Sequence, residues 1–209
     1  MPITQAKAAE RKVPFLVHFT RTTNLKSITE KGLLPRDQHA ANGVDAEIND
    51  DLRLDGRLDG ISISIGFPNS KMLWKLRQEN PGVNWAVLAI APSVLWTHDC
   101  AYCQHNAADA RISGAPLAYL QTGNAFDAMY ADIAGIDRAA DNLKEFDPTD
   151  VQAEVLVFEP ILPPDILGVA FERGAIKAQY DPLFTGKKSV LHGGRGFFSD
   201  RSYHRRNTK

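Results

Sequence analysis

Residues 13–36 read VPFLVHFTRTTNLKSITEKGLLPR, and the fold turns on how this stretch divides. Phe15, Leu16 and Val17 form an apolar run that reads as a short strand, with His18 at its end. Thr22 or Thr23 caps a helix running to about Lys31, with Leu25, Ile28 and Leu33 facing inward. Gly32 ends that helix and Pro35 keeps it from resuming. His18 is then placed either to bind a ribose hydroxyl or carbonyl, or to sit as a satisfied structural histidine. The stretch alone does not choose.

Working outward, Gly60–Ile65 alternates, with Ile61, Ile63 and Ile65 on one side and Ser62 and Ser64 on the other: a strand with one buried face. WAVLAI (85–90) reads as a central strand, and QAEVLVF (152–158) and Ile166–Phe171 as two more. Short helices are expected around Met72–Leu76, over Gly123–Ile133 and over Arg173–Tyr180. Residues 37–59 and 98–118 read as irregular. Strands separated by long, uneven connections indicate an α+β fold rather than a regular βαβ array. At 209 residues one domain over 1–209 is expected, with an arm at 1–12 and a basic tail at 201–209.

Bulk composition excludes little. The chain is 44% apolar and 23% charged with a net charge of -1, as in ordinary globular proteins. The distribution is uneven: Asp45–Asp59 holds six acidic and two basic residues, and Gly174–Lys209 holds eight Lys or Arg against two Asp. The second patch either attracts phosphates or is a solvated terminus. No run of 18 apolar residues suggests a membrane span, and the first residues lack the apolar core of a secretory leader, so a cytoplasmic setting is expected. Cys100 and Cys103 form one CxxC flanked by His98 and His105, which is half a zinc site, a redox pair or two free thiols; free thiols, and no metal, are expected. No GxGxxG, P-loop, GxSxG or HExxH motif is present in a supporting context.

Glu154 is the odd residue of QAEVLVF, sharing a face with Leu156 and Phe158. A carboxylate at the start of a buried strand is costly unless it is hydrogen-bonded. Glu154 therefore either lies at an exposed strand end or serves a cleft, where it can hold sugar hydroxyls or favour positive charge.

Four landmarks, in order, resemble the DarT family of NAD-dependent DNA ADP-ribosyltransferase toxins: HFT…NLKSI…GLL at 18–34, the 37–59 excursion with Arg53, FPNSKMLW at 67–74, and QAEVLVF at 152–158. The resemblance spans roughly residues 14–172. It implies an ADP-ribosyltransferase fold, a split β-sandwich around an NAD cleft with peripheral helices. It implies Glu154 and Arg53 as catalytic residues, with Arg57 competing for the arginine's place. It further implies His18, Thr20, Asn24, Gly32, Phe67, Ser70 and Met72 as NAD contacts. The acceptor implied is thymine or guanine in single-stranded DNA, and the partner a macrodomain antitoxin with ADP-ribosyl hydrolase activity. A monomer suffices for such a cleft.

Charge and nearness to these motifs add Lys71, Lys75 and Arg77 as candidate phosphate contacts, extended by Arg195, Phe197 and Arg201; solubilising charge is the competing reading of each. Asn124, in TGNAFDAMY (122–130), stands where some relatives carry a base-contacting histidine. Two further readings stay open: an ADP-ribosyltransferase acting on RNA or protein, and a nucleic-acid-binding domain without catalysis.

Overall fold

The computed structural model describes residues 5–47 and 57–208. Among them are seven strands: β1 (Leu16–Arg21), β2 (Ile61–Ile65), β3 (Trp85–Ile90), β4 (Cys100–Cys103), β5 (Glu154–Val157), β6 (Ile166–Phe171) and β7 (Lys188–Leu191). The helices described are α1 (Gln5–Glu10), α2 (Leu25–Lys31), α3 (Ser70–Glu79), α4 (Val94–Thr97), α5 (Ala110–Ser113), α6 (Leu117–Leu120), α7 (Gly123–Ala128), α8 (Gly174–Tyr180) and α9 (Arg201–Asn207). The class is α+β, as expected. The strands lie in the order β4-β5-β2-β1-β3-β6-β7. Neighbours are antiparallel except for the parallel β6–β7 pair.

The sheet parts in its middle. β1 pairs with β3 at six positions, Leu16↔Ile90 through Arg21↔Trp85. With β2 it pairs at two, Leu16↔Ile65 and Val17↔Ser64. Past Ser64, β2 follows β5 instead, with Ile61 opposite Val157 and Ile63 opposite Val155. One wing is thus β4–β5–β2 and the other β1–β3–β6–β7, and they diverge at His18.

Strand alternation sorts the core. Leu16, Ile61, Ile63, Ile65, Leu88, Val155 and Phe171 face one large cluster, which also takes Leu25 and Ile28 of α2 and Phe126 of α7. The opposite face carries two smaller clusters, one per wing. Val17, Val87 and Ala170 pack with Leu73 of α3 and Phe198. Ala101, Cys103 and Leu156 pack with Ile112 of α5 and Leu120 of α6.

Several sequence expectations shift. β1 does not stop at His18 but runs to Arg21, because the long ladder with WAVLAI carries it onward. No threonine side chain caps α2; residues 22–24 form a 3-10 turn and Asn24 precedes the helix. α3 begins earlier than expected, capped by the Asn69 side chain, which accepts the Met72 N–H at 3.0 Å. Gly32 ends α2 with φ +88°, and a Cβ there would lie 2.3 Å from the Ile161 carbonyl oxygen. Only glycine satisfies both that backbone and that approach.

CAYC was expected in an irregular region and is the buried strand β4. Its cysteines are three apart and so face opposite ways: Cys100 joins the large core and Cys103 the small cluster beyond β5. Cys100 donates to the Val94 carbonyl at 3.5 Å, and burial pushes its thiol up to about 12. Among the described residues, no group of three or more His, Cys, Asp or Glu is placed to hold a metal ion. No described helix is long and apolar enough to cross a membrane. The basic stretch at 201–207 is helix α9, with Arg201 and Arg205 buried; Arg205 forms a bidentate pair with buried Asp147, both contacts at 2.7 Å.

Candidate active site

Where β1 and β2 part, a cavity of about 200 Å³ opens. Pockets that enclose a whole drug-sized ligand run to ~300–1,000 Å³. An elongated ligand would therefore lie along this cleft with part of itself outside the cavity. His18 and Thr20 of β1, Asn24 and Gly32 line it. So do Ser62 and Ser64 of β2 and Glu154 of β5. Asn69, Met72 of α3, Arg36, His39 and Glu47 also line it.

Each wall is made by local rules. Residues 16, 18 and 20 share one face of β1, so Leu16 anchors in the core while His18 and Thr20 reach the cavity. His18 Nδ1 lies 2.9 Å from the Ser62 carbonyl oxygen. The carbonyl only accepts, so Nδ1 carries the hydrogen and Nε2 is the nitrogen left to accept in the neutral ring. Thr20 is buried and accepts from Asn24 Nδ2 at 3.0 Å. Asn24 also donates to the Glu47 carbonyl at 2.9 Å and accepts the Glu47 N–H at 2.9 Å. Its amide thus ties α2 to the chain that follows the 36–42 turns.

Glu154 is 7% exposed and sits at the mouth of β5. Its Oε2 accepts from the Ser62 hydroxyl, and its Oε1 accepts the Ala107 N–H at 2.5 Å. A carboxylate held by fixed donors is oriented before any ligand arrives, and that orientation is what makes it useful against developing positive charge.

The cavity brings together Glu154, His18, Thr20, Asn24, Gly32 and Met72. It does not gather the other expected residues. Phe67 is buried elsewhere, packed on Phe197 (ring centroids 5.6 Å apart) and His204 (5.4 Å). Ser70 is buried at the start of α3, and its hydroxyl accepts the Arg201 N–H at 3.4 Å. For Ser70 the helical period is the reason: with Asn69 and Met72 toward the cavity, residues 70 and 71 point elsewhere; Phe67 precedes the helix. Lys71, Lys75 and Arg77 line a separate groove with Trp74, Phe197 and Phe198. Arg77 is occupied there by Glu172 and by the Phe198 carbonyl at 2.9 Å. Asn124 is exposed on α7, away from the cavity lining. Arg53 lies outside the described residues. Arg57 is described, stands 3.9 Å from Asp59 and is not part of the cavity lining.

Sequence reading missed Arg36, His39, Ser62, Ser64, Asn69 and Asn106 as cavity residues. For Ser62 and Ser64 the signal was present, since they form the polar face of a strand whose other face is all isoleucine. Arg36 and His39 come from consecutive 3-10 turns, which leave no period to read.

With the geometry in place, comparison with known proteins is informative. The family model described as "DarT: ssDNA thymidine ADP-ribosyltransferase, DarT" matches residues 17–193. A search of curated proteins gives no match. Among solved structures, Thermosipho africanus DarTG in complex with ADP-ribose is similar at TM-score 0.63 and 15% identity, over 88% of this chain and 50% of that one. The chain therefore spans half the length of that relative. Thermus sp. 2.9 DarT in complex with carba-NAD+ gives TM-score 0.54 at 15% identity, over 86% of this chain and 95% of that one. The same protein in complex with ADP-ribosylated ssDNA gives 0.50 at 15%, over 91% and 96%. At that identity, these likenesses establish a shared fold.

Proposed function

Because the chain belongs to the DarT family, we propose that it transfers ADP-ribose from NAD to a base of single-stranded DNA. The observation that carries this reading is Glu154: a buried carboxylate, fixed by two donors, that lines the same cavity as His18 where the sheet parts. Solved relatives of the same fold hold carba-NAD+ and ADP-ribosylated ssDNA.

The reaction is one substitution at the anomeric carbon of the nicotinamide ribose. The bond to nicotinamide breaks with its electron pair passing to the pyridinium nitrogen, a base nitrogen bonds to the carbon, and that nitrogen's proton leaves to the site or to water. Positive charge builds on the ribose as in other glycosyl transfers. Glu154 accepts a ribose hydroxyl and stabilises that charge. His18, Thr20 and Asn24 line the nicotinamide-ribose side, Gly32 lets backbone approach closely, and Met72 supplies an apolar wall. Arg36 brings a guanidinium to the same cavity, suited to a diphosphate. Arg53 is proposed as the catalytic arginine, with Arg57 as its competitor. An arginine stays charged and so acts by electrostatic positioning.

The acceptor base is thymine or guanine, unpaired so that its ring nitrogens are open. Lys71 and Lys75, with exposed Trp74 between them on α3, offer phosphate and stacking contacts to the flanking strand. The setting we propose is a cytoplasmic, monomeric toxin restrained by a macrodomain antitoxin that hydrolyses the adduct. Transfer to RNA or protein keeps the same cavity and changes only the acceptor surface.

The test is to incubate the chain with NAD and, in separate reactions, single-stranded DNA, duplex DNA, RNA and a protein mixture. Mass spectrometry should find added ADP-ribose on the single-stranded DNA, and fragmentation should map the base. Adducts on RNA or protein alone would replace the DNA reading, and no adduct with any acceptor would remove the transferase reading.

A further inference from the structure

Glu154 is held by two chain segments, and a second buried pair joins those segments. One is the loop after β4, whose Ala107 N–H reaches Glu154 Oε1 at 2.5 Å. The other is the turn entering β5. Two residues before Ala107, His105 points inward and its Nδ1 meets Asp150 Oδ2 at 2.8 Å. Their side chains are 8% and 12% exposed. The carboxylate accepts, so Nδ1 carries the hydrogen. The other Asp150 oxygen accepts the Gln152 N–H at 2.9 Å, and the Asp150 carbonyl accepts the Ala153 N–H at 3.1 Å. These bonds close a ring: His105 to Ala107, Ala107 to Glu154, Glu154 back to Asp150, Asp150 to His105.

Neither His105 nor Asp150 lines the cavity, although Asn106 and Ala108, on either side of Ala107, do. The ring rests on a fixed base. Arg201 of α9 donates to the Pro148 and Thr149 carbonyls at 2.7 and 2.8 Å. Arg138 reaches the Asp147 carbonyl and the Thr149 hydroxyl at 2.9 and 2.8 Å, and Arg205 holds the Asp147 carboxylate. A buried histidine–carboxylate hydrogen bond is weak as a source of net stability, because desolvation offsets much of the attraction. What it adds is direction, a fixed distance between the two segments that meet at one carboxylate.

We propose that His105 and Asp150 are positioning residues for Glu154, setting where the Ala107 N–H stands and so where the carboxylate points. The assignment rests on Glu154 being the carboxylate that does the chemistry. Its test has one readout that does not need the reaction. In the native chain, the Ala107 amide proton, bonded to a buried carboxylate, should resonate downfield and exchange slowly. His105→Ala should move that resonance upfield into the ordinary amide range and speed its exchange. His105→Asn keeps a donor near the Nδ1 position and should restore both.

In the transfer assay, His105→Ala should lower kcat about 10²-fold, the scale of an ångström-sized misplacement. KM for NAD should be little changed, because the cavity walls are intact. An unmoved Ala107 resonance in His105→Ala would overturn the proposal, as would full kcat in that variant. Equal loss in folded His105→Asn and His105→Ala would also overturn it. A shifted Ala107 resonance in a chain that modifies no acceptor would leave the positioning role standing and remove the proposed reaction instead.

Discussion

The two sides of the parted sheet are built differently. His18 lies within a six-residue strand that pairs along its whole length with β3. Its place is set by the ladder and by apolar packing of Leu16 and Val17 beneath it. Glu154 opens a four-residue strand, opposite Cys103 of β4, and its carboxylate is placed by the Ser62 hydroxyl and the Ala107 N–H, backed by the His105–Asp150 pair and the arginines that hold 147–149. A long ladder tolerates a lost contact because its neighbours carry the register. A short strand anchored by charged hydrogen bonds does not, since each lost partner leaves another buried and unsatisfied. The histidine side should be robust in structure and graded in function, and the carboxylate side brittle in both.

The largest stability effect should come from the carboxylate side. Asp147 is fully buried and holds Arg205 through both oxygens. Asp147→Ala strands a buried guanidinium, which typically costs about 3–5 kcal/mol; equilibrium denaturation should show that loss. A change near zero would break the contrast between the two sides.

Gly32→Ala, on the histidine side, tests whether backbone rather than side chains governs there. The added Cβ meets the Ile161 oxygen at 2.3 Å with φ at +88°. A destabilisation of about 1–3 kcal/mol is expected from the strained backbone alone. His18→Ala should leave folding nearly untouched and raise KM for NAD about tenfold, equivalent to 1.4 kcal/mol. Steady-state kinetics beside a melting curve separate those effects.

How much of this was legible in the sequence follows from the same contrast. Strands that are buried by alternation or as apolar runs announce themselves: GISISI, WAVLAI and QAEVLVF lie close to β2, β3 and β5. One charged residue interrupting an apolar run left Glu154 open between an exposed strand end and a cleft; its catalytic role came from the resemblance, and the residue lines the cavity. What surrounds Glu154 was hidden, because Ser62, Ala107, His105 and Asp150 meet through contacts 45 or more residues apart in sequence. CAYC left a zinc site or a redox pair open by its spacing, with free thiols expected; on a strand that spacing turns the two thiols to opposite faces. Phe67 and Ser70 were drawn in by the FPNSKMLW resemblance, but Phe67 precedes the helix and packs on Phe197, and the helix starting at Ser70 turns only some of its residues toward the cavity.

Smaller effects belong to the outer surface. Lys71→Ala with Lys75→Ala should weaken single-stranded DNA binding and flatten its salt dependence by about 1.4 in log–log slope, at ~0.7 per phosphate contact. A salt series of binding isotherms measures this. The smallest effect is a pH dependence of stability. Burial lowers His192 and His204 from their ordinary value of 6.5, with like charge from His204 and Lys188 adding for the first and from Arg205 for the second. The unfolded chain therefore takes up protons first as pH falls below about 6.5, and stability should decline from there down to the folded-state values. His204→Gln should reduce that decline, as melting temperatures recorded between pH 7 and 5 would show.

The most direct test of the central claim is Glu154→Gln. Glutamine keeps the shape and can still accept from Ala107 and meet Ser62, so melting should change little. With NAD and single-stranded DNA, mass spectrometry should find adduct formation reduced by about 10²–10³-fold, the scale of losing one preorganised electrostatic group. Adduct formation at the native rate by a folded Glu154→Gln protein would contradict the account.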